Sequence, residues 1–384
     1  MKTAVIVIFS LVSLLLNGLS AAGKPIPYPS SLKADSFYLV DFNSGRVLAE
    51  KNADKRLEPA SITKLMTAYL VDKAIADGNI ALDEMVTISE KAWRMQGSKM
   101  FVEVGKQVSV DELLKGLIIQ SGNDAAVALA EHIAGAESAF VDYMNDQAKL
   151  LGMVNTRFDN ATGWPDEEHY SSAKDIAMLT MATIRDFPDT YRYYKQREYS
   201  FNGIRQYNRN RLLWHDDKVD GVKTGHTEAA GYCLVASAIR GDMRLISVLL
   251  GASSDQARTQ YSQSLLDYGF RAFETHRLYG ASEVLKTSRI WYGAQQQIAI
   301  GPVKDIYITI PRGRYQSVQA TMDIPSEISA PVKNGQILGR LSVTLEGEEI
   351  ASEQVVALHA VNEGGLIDKA MDSIQLMLQW FQDV

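Results

Sequence analysis

The chain of 384 residues is long enough for two domains, and its 46% apolar and 22% charged content is that of an ordinary globular protein. A net charge of −7, with no concentrated run of Lys and Arg, argues against nucleic acid as the main partner. The single cysteine excludes an internal disulfide and a cysteine–zinc cluster, and the six histidines show no ligand spacing such as H-E-x-x-H, so neither a catalytic metal nor a cofactor is expected.

The N-terminus reads as an export signal over residues 1–22. Lys2 gives the positive start, Ala4 to Leu16 the apolar stretch, and Ser20, Ala21 and Ala22 a small-residue cleavage site. The competing reading is a retained anchor, but the apolar run is short against the roughly 20 residues that a spanning helix needs. A proline-rich leader, Lys24-Pro25-Ile26-Pro27-Tyr28-Pro29, cannot continue a helix or join a central strand. Ser36–Asp41 and Arg46–Ala49 flank a turn at Asn43-Ser44-Gly45 and form a hairpin.

A helix is expected from Ser61 to Asp77, between Pro59 and Gly78. Ile62, Leu65, Met66, Tyr69, Leu70 and Ala74 cover so much of its surface that most sides should be buried. Residues 84–108 read as short strands and loops. Ser109 and Glu112 form a capping box for a helix that runs through Ile118 and breaks at Ser121-Gly122-Asn123. Helices follow over Asp124–Ile133 and Glu137–Leu151. The stretch Asn155–Ser171 is a long loop, of a length that is often functional. Ser172 then caps a helix through Ile184.

After Lys218 strands dominate. Gly231–Ile239 and Met243–Leu250 join at Arg240-Gly241-Asp242 as a hairpin, and a helix covers Asp255–Phe270. Strands first, helices in the middle and strands last give an α+β domain over residues 28–281, an antiparallel sheet flanked by helices. From 282 to 361 the runs are short and alternating, as in Ile306–Ile310 and Gly339–Leu345, and read as a second, all-β domain.

Gly364-Gly365 opens a C-terminal amphipathic helix over 364–384. At about 100° per residue, Leu366, Ile367, Ala370, Met371, Ile374, Met377, Leu378, Trp380 and Phe381 share one face, opposite Asp368, Asp372, Gln375, Gln379 and Asp383. The segment is too polar and short to span a bilayer and suits its interface, with Trp380 and Phe381 as anchors. The alternative is a helix packed on the protein itself. Its polar face is acidic, with Lys369 the one base, so apolar burial must supply any membrane affinity.

A serine needs a base to act as a nucleophile at neutral pH. Ser61 and Lys64, at i and i+3, share a helix face with Cβ atoms about 5–6 Å apart, and the helix dipole favours negative charge near Ser61. The pair alone is not specific, since Ser30–Lys33 and Ser171–Lys174 have the same spacing. Ser61 is set apart by its helix, which is so apolar that a lysine in it is costly without partners or work. Ser121-Gly122-Asn123, taken alone, is a cap and turn, and Lys223-Thr224-Gly225 a turn before a strand. Cys233, in the apolar run Gly231–Val235, reads as a small buried hydrophobe.

The trio S-x-x-K, S-x-N and K-T-G, in this order, resembles the penicillin-binding proteins and the serine β-lactamases. The longer strings Pro59-Ala60-Ser61-Ile62-Thr63-Lys64, Ser121-Gly122-Asn123-Asp124-Ala125-Ala126 and Asp220-Gly221-Val222-Lys223-Thr224-Gly225-His226-Thr227 are more specific. They resemble the low-molecular-mass D-alanyl-D-alanine carboxypeptidases of the penicillin-binding protein 5 group, and the likeness covers the whole mature chain. The resemblance implies a DD-peptidase fold. It implies a hydrolase of cell-wall synthesis and cell shape that removes the terminal D-alanine from peptidoglycan peptide stems through an acyl-enzyme and is covalently inhibited by β-lactam antibiotics. It also implies a peripheral protein on the periplasmic face of the cytoplasmic membrane, held to the membrane surface by the C-terminal helix.

By the same resemblance Ser61 is the nucleophile, Lys64 its base, with a pKa lowered by burial and by the nearby positive Lys223, and Ser121 a proton relay to the leaving D-Ala. Asn123 would hold Lys64 and the substrate backbone, and Lys223 and Thr224 would bind the terminal carboxylate. Gly225 would leave room for substrate along the strand. The backbone N–H groups of Ser61 and His226 would form an oxyanion hole. The His226 ring as general base is the competing reading. Arg209, in Asn208-Arg209-Asn210, is either a neighbour of the substrate carboxylate or a surface arginine, and His169 in the long loop is equally open. A class A β-lactamase would need a deacylating glutamate in an E-x-x-L-N loop. No such string lies between Ser121 and Lys223, and Glu167 and Glu168 are not in that pattern. A transpeptidase, or a weak β-lactamase, would use the same acylation. The intact trio disfavours a catalytically silent wall-binding protein.

Overall fold

A computed structural model describes residues 28, 29 and 31–382, with side chains through residue 378. The expected export segment, Ser30 of the first decoy pair, and Trp380 and Phe381 as anchors lie outside that description.

Five strands, β1 (Ser36–Asp41), β2 (Val47–Lys51), β3 (Val219–Thr227), β4 (Gly231–Arg240) and β5 (Met243–Ala252), form one sheet in the order β2-β1-β5-β4-β3. Every pairing in it is antiparallel. The central strands read as unbroken apolar runs because helices cover both faces. Alternation along β5 divides two cores: Ile246 and Val248 face one, Leu245 and Leu249 the other. The K-T-G string lies inside β3, the edge strand, with Lys223 opposite Val235 and Gly225 opposite Cys233, not in a turn before the sheet.

The first face carries α1 (Lys64–Ala76), α2 (Val110–Lys115), α3 (Asn123–Ala134), α4 (Glu137–Leu150) and α5 (Ala173–Asp186), and the second carries α6 (Asp255–Ala272). From Lys64 to Asp72 every residue of α1 is buried, as its apolar breadth predicts. The expected caps form: Ser109 Oγ accepts from Glu112 N at 3.3 Å and Ser172 Oγ from Asp175 N at 3.2 Å.

The structure departs from the sequence reading elsewhere too. Ser61 is not in the α-helix but in a 3₁₀ turn, Ala60–Thr63, just ahead of it. The helix opened by Ser109 widens into a π turn, Gly116–Gln120, before its break. A hairpin, Glu198–Phe201 with Ile204–Tyr207, turns on Asn202-Gly203 with φ of +47° and +74°. Asn-Gly is a strong hairpin signal and marked it in the sequence. A strand over Phe273–Tyr279 precedes the change of character expected at 282, and pairs with Ile306–Pro311 in a two-stranded sheet.

Beyond it six strands, Lys286–Trp291, Gln297–Pro302, Val318–Asp323, Ile328–Ser329, Ile337–Leu345 and Glu348–Ala357, make a separate sheet, followed by α7 (Leu366–Gln382). The β-rich part is tied to the β1–β2 turn by polar groups. The buried Asp41 carboxylate accepts from Ser44 Oγ at 2.8 Å and Thr275 Oγ1 at 2.9 Å, and Arg46 donates to the Thr309 carbonyl at 2.6 Å.

Candidate active site

Side chains at i and i+3 eclipse in a 3₁₀ turn, closer than on an α-helix. The Ala60–Thr63 turn thereby brings Lys64 Nζ to 3.0 Å from Ser61 Oγ. Ala60 is held at φ +48°, a left-handed conformation unusual for a residue with a Cβ and a local strain beside the serine. Lys64 is 1% exposed, and its amine also donates to the Thr162 carbonyl at 2.5 Å. Burial lowers its pKa from 10.5 to about 7, the Arg209 charge adds to this, and Asp124 opposes it. The sequence reading had burial right; Arg209 is a further charge that it missed, and Lys64 and Lys223 also repel each other. A neutral amine keeps an N–H for Thr162 and offers its lone pair to the Ser61 hydroxyl.

Thr162 comes from the long loop, which is built around Asn160. Asn160 Oδ1 accepts from the N–H groups of Thr162 (3.1 Å), Gly163 (2.8 Å) and Trp164 (3.0 Å). Thr67 Oγ1 on α1 donates to the Ala161 carbonyl at 2.7 Å. His169 closes the loop. Its Nδ1 accepts from Asp159 N at 3.1 Å, so the proton sits on Nε2, which donates to Thr63 Oγ1 at 2.7 Å. His169 is therefore a neutral pin between loop and nucleophile turn, and not an acid or base.

Burial lowers the His169 pKa from 6.5 to about 4. Between these values the unfolded chain binds more protons than the folded one. Its contribution to stability is thus complete above about pH 6.5 and lost as the pH falls towards 4, by about 3 kcal/mol. Urea unfolding at stepped pH is expected to show this loss in the native protein and a flatter slope in His169→Gln. Equal slopes would remove His169 as its source.

The π turn ends at Ser121, again left-handed at φ +67°, with a buried hydroxyl that has no partner among the described residues. Asn123 is buried beside it, but its amide donates to the Gln96 carbonyl at 2.6 Å. The expected hold on Lys64 is not made among the described residues; Lys64 donates to the loop carbonyl of Thr162. Sequence reasoning also missed Asp124. Its buried carboxylate accepts from the backbone N–H groups of Met100 (3.0 Å), Phe101 (2.9 Å) and Val102 (3.3 Å), and so fastens the neighbouring loop to the start of α3. An acid in the first helical turn was the available signal.

On β3, Lys223 and Thr224 are buried. Burial pushes the Lys223 amine well below its usual pKa, helped by the charges of Lys64, Arg209 and Arg258. Arg258, from α6, donates to the Gly225 carbonyl at 3.0 Å and pairs with Asp255 at 2.5 Å. Arg209 is exposed, but the buried asparagines on either side fix its backbone: Asn208 donates to the Gln196 carbonyl at 3.0 Å and Asn210 to the Gly221 carbonyl at 2.8 Å. Of these four basic side chains only Arg258 has an ion pair among the described residues, so the cluster suits an anionic substrate group.

Gly225 needs correction. A Cβ there would stand 2.7 Å from the Pro59 carbonyl oxygen and 3.2 Å from Ala60 Cβ. The glycine lets the nucleophile turn pack on the strand; that side has no room for substrate. The His226 ring is exposed and lies against Tyr232, tilted by 36°, with centroids 3.9 Å apart. Cys233 is buried, and burial raises its thiol to about 11, so it is no nucleophile.

Residues 22–254 match the family model of D-alanyl-D-alanine carboxypeptidase, and residues 273–363 match that of the penicillin-binding protein 5 C-terminal domain. The chain is 43% identical over 365 residues to D-alanyl-D-alanine carboxypeptidase DacA of Escherichia coli strain K12, covering 93% of this chain and 91% of the relative. It is similar to the crystal structure of penicillin-binding protein 5 from Haemophilus influenzae, with a TM-score of 0.83 and 41% identity, over 89% of this chain and all of that one. Penicillin-binding protein D2 from Listeria monocytogenes, in the ampicillin-bound form, matches with a TM-score of 0.58 and 32% identity, over 64% of this chain and all of that one.

Proposed function

The chain belongs to the D-alanyl-D-alanine carboxypeptidase family and is a serine-type carboxypeptidase, and on that premise we propose that Ser61, Lys64 and Ser121 carry its chemistry. The observation that carries this reading is the buried Lys64 amine, with a pKa of about 7, 3.0 Å from Ser61 Oγ. Lys64 takes the hydroxyl proton as Ser61 attacks the carbonyl of the penultimate D-Ala of a peptidoglycan stem. The backbone N–H groups of Ser61 and His226 receive the oxyanion. Ser121, whose hydroxyl has no partner among the described residues, passes the proton to the departing D-Ala amine. Lys223, Thr224 and Arg209 bind the terminal carboxylate, Asn123 lines the substrate backbone, and water hydrolyses the acyl-enzyme. Gly225 serves the site by close packing.

A β-lactam offers the same carbonyl to Ser61 and leaves an acyl-enzyme. The purified protein is expected to release free D-Ala from a peptide ending in D-Ala-D-Ala and to be labelled covalently by a fluorescent penicillin. Ser61→Ala is expected to lose both. Labelling that persists in Ser61→Ala would sink the assignment.

The catalytic unit of this reading runs from 28 to Ala272 instead of to 281, since the strand from Phe273 pairs within the β-rich unit. The protein is exported and peripheral, at the periplasmic face of the cytoplasmic membrane. Supporting this, the first 22 residues have the pattern of an export signal. Among the described residues no helix is long and apolar enough to cross a membrane. Leu366, Ile367, Met371, Ile374, Met377 and Leu378 of α7 are all exposed, a face suited to the bilayer interface.

A further inference from the structure

An amphipathic helix on a soluble protein ordinarily turns its apolar face inward. α7 does the reverse. From Leu366 to Leu378 the one buried side chain is Asp372, at 8% exposed, and Lys369 and Leu376 are partly buried. These three, at i, i+3 and i+7, form a stripe on one side of the helix. The exposed apolar residues, Leu366, Ile367, Met371, Ile374, Met377 and Leu378, lie on the other side. The helix is docked by its polar side.

The docking is specific. One Asp372 oxygen accepts from Arg289 Nη2 at 2.6 Å and the other from the Tyr292 N–H at 2.6 Å. Both partners are set by the β-rich unit. The Arg289 guanidinium lies over the Trp291 ring, 4.2 Å from its centroid, and Tyr292 is held left-handed at φ +61°. The helix start is stitched to the same segment: Gly364 N donates to the Tyr292 carbonyl at 2.8 Å, and Ala294 N to the Asn362 carbonyl at 2.9 Å. A charge-assisted pair with both carboxylate oxygens used fixes rotation about the helix axis, which the backbone stitches at one end do not.

The geometry points to Asp372 as a positioning residue: it clamps α7 by its polar side to Arg289 and Tyr292, so that the apolar face meets a lipid bilayer in one fixed orientation. This rests on the membrane reading above. The polar face is then more than a solvated counterpart to the apolar one. It sets the attitude of the β-rich unit, and through it the catalytic cleft, over the membrane. A flexible tether would leave that attitude free.

The test is double electron–electron resonance on the full mature chain with nitroxides at Gln375→Cys on the helix and Gln319→Cys on the β-rich unit, both exposed positions. The native Cys233 is buried and gives no background. A single narrow distance peak is expected in solution and on vesicles of phosphatidylethanolamine and phosphatidylglycerol. In Asp372→Ala, and in Arg289→Gln, which leaves the helix sequence untouched, the narrow peak is expected to be lost. Flotation with vesicles and penicillin labelling should be retained in both. Peaks as narrow in the variants as in the parent would overturn the clamp. A parent protein that keeps its narrow peak but does not float would overturn the membrane reading and leave the clamp standing.

Discussion

Lys64→Met is expected to lower the rate of acylation by ~10²–10⁴-fold, the usual worth of a general base, while raising the melting temperature. The two effects have one cause. Holding the amine at about 7 instead of 10.5 costs the fold about 5 kcal/mol wherever the unfolded chain would carry the charge. The cost is complete below pH 7 and vanishes above 10.5, so stability should rise with pH across that window. Methionine removes the cost and keeps the volume. Against it stands the Thr162 carbonyl, left without its 2.5 Å donor at about 1–3 kcal/mol. The first number wins, and the variant is more stable and inactive. In the native protein the second-order rate of labelling by a fluorescent penicillin should climb with pH through about 7 and level above it, as Lys64 loses its proton. Labelling rates from pH 5 to 9 and thermal melts check both parts. A variant that is inactive and also less stable would mean that the lysine serves mainly as a structural hydrogen-bond donor.

What could be read in advance follows from what sequence patterns report. Periodicity reports burial, so the enclosure of α1 was legible, and capping residues marked the helix starts at Ser109 and Ser172. Spacing reports local neighbours, so Ser61 and Lys64 could be paired, although the 3₁₀ turn that shortens their contact could not. Long-range polar contacts leave no period. Lys64 and Thr162 are 98 positions apart, and nothing in either string points to the other. The roles of Asn160, His169 and Asp124 were hidden for the same reason. Each is an ordinary turn or cap residue until the fold brings a partner to it. Asp372 shows the limit from the other side. Its place on the polar face was legible, but a helical wheel shows which residues share a face and not which face docks.

The largest loss from a single methyl group is expected at Gly163, a position no motif marks. Its φ is +79°, and a Cβ would overlap the carbonyl carbon and oxygen of Ala60 and stand 2.9 Å from Thr63 Oγ1. Neither neighbour is the loose end of a flexible side chain, since both belong to the turn that holds Ser61. Gly163→Ala must therefore push the loop away, taking the Thr162 carbonyl from Lys64, or push the turn away, taking Ser61. A misplacement near 1 Å is enough for a loss of ~10²-fold. Backbone strain alone cannot produce this. Gly135 has nearly the same φ, +76°, with nothing within 4 Å of its Cβ position, so Gly135→Ala carries the strain without the overlap. That control is expected to lose about 1–2 kcal/mol of stability and label at the native rate. Gly163→Ala should lose more stability and label at least ~10²-fold more slowly. If the two variants label alike, the contact between loop and nucleophile turn does not hold the Ser61–Lys64 pair in place, and the 2.5 Å bond to Thr162 is incidental to acylation.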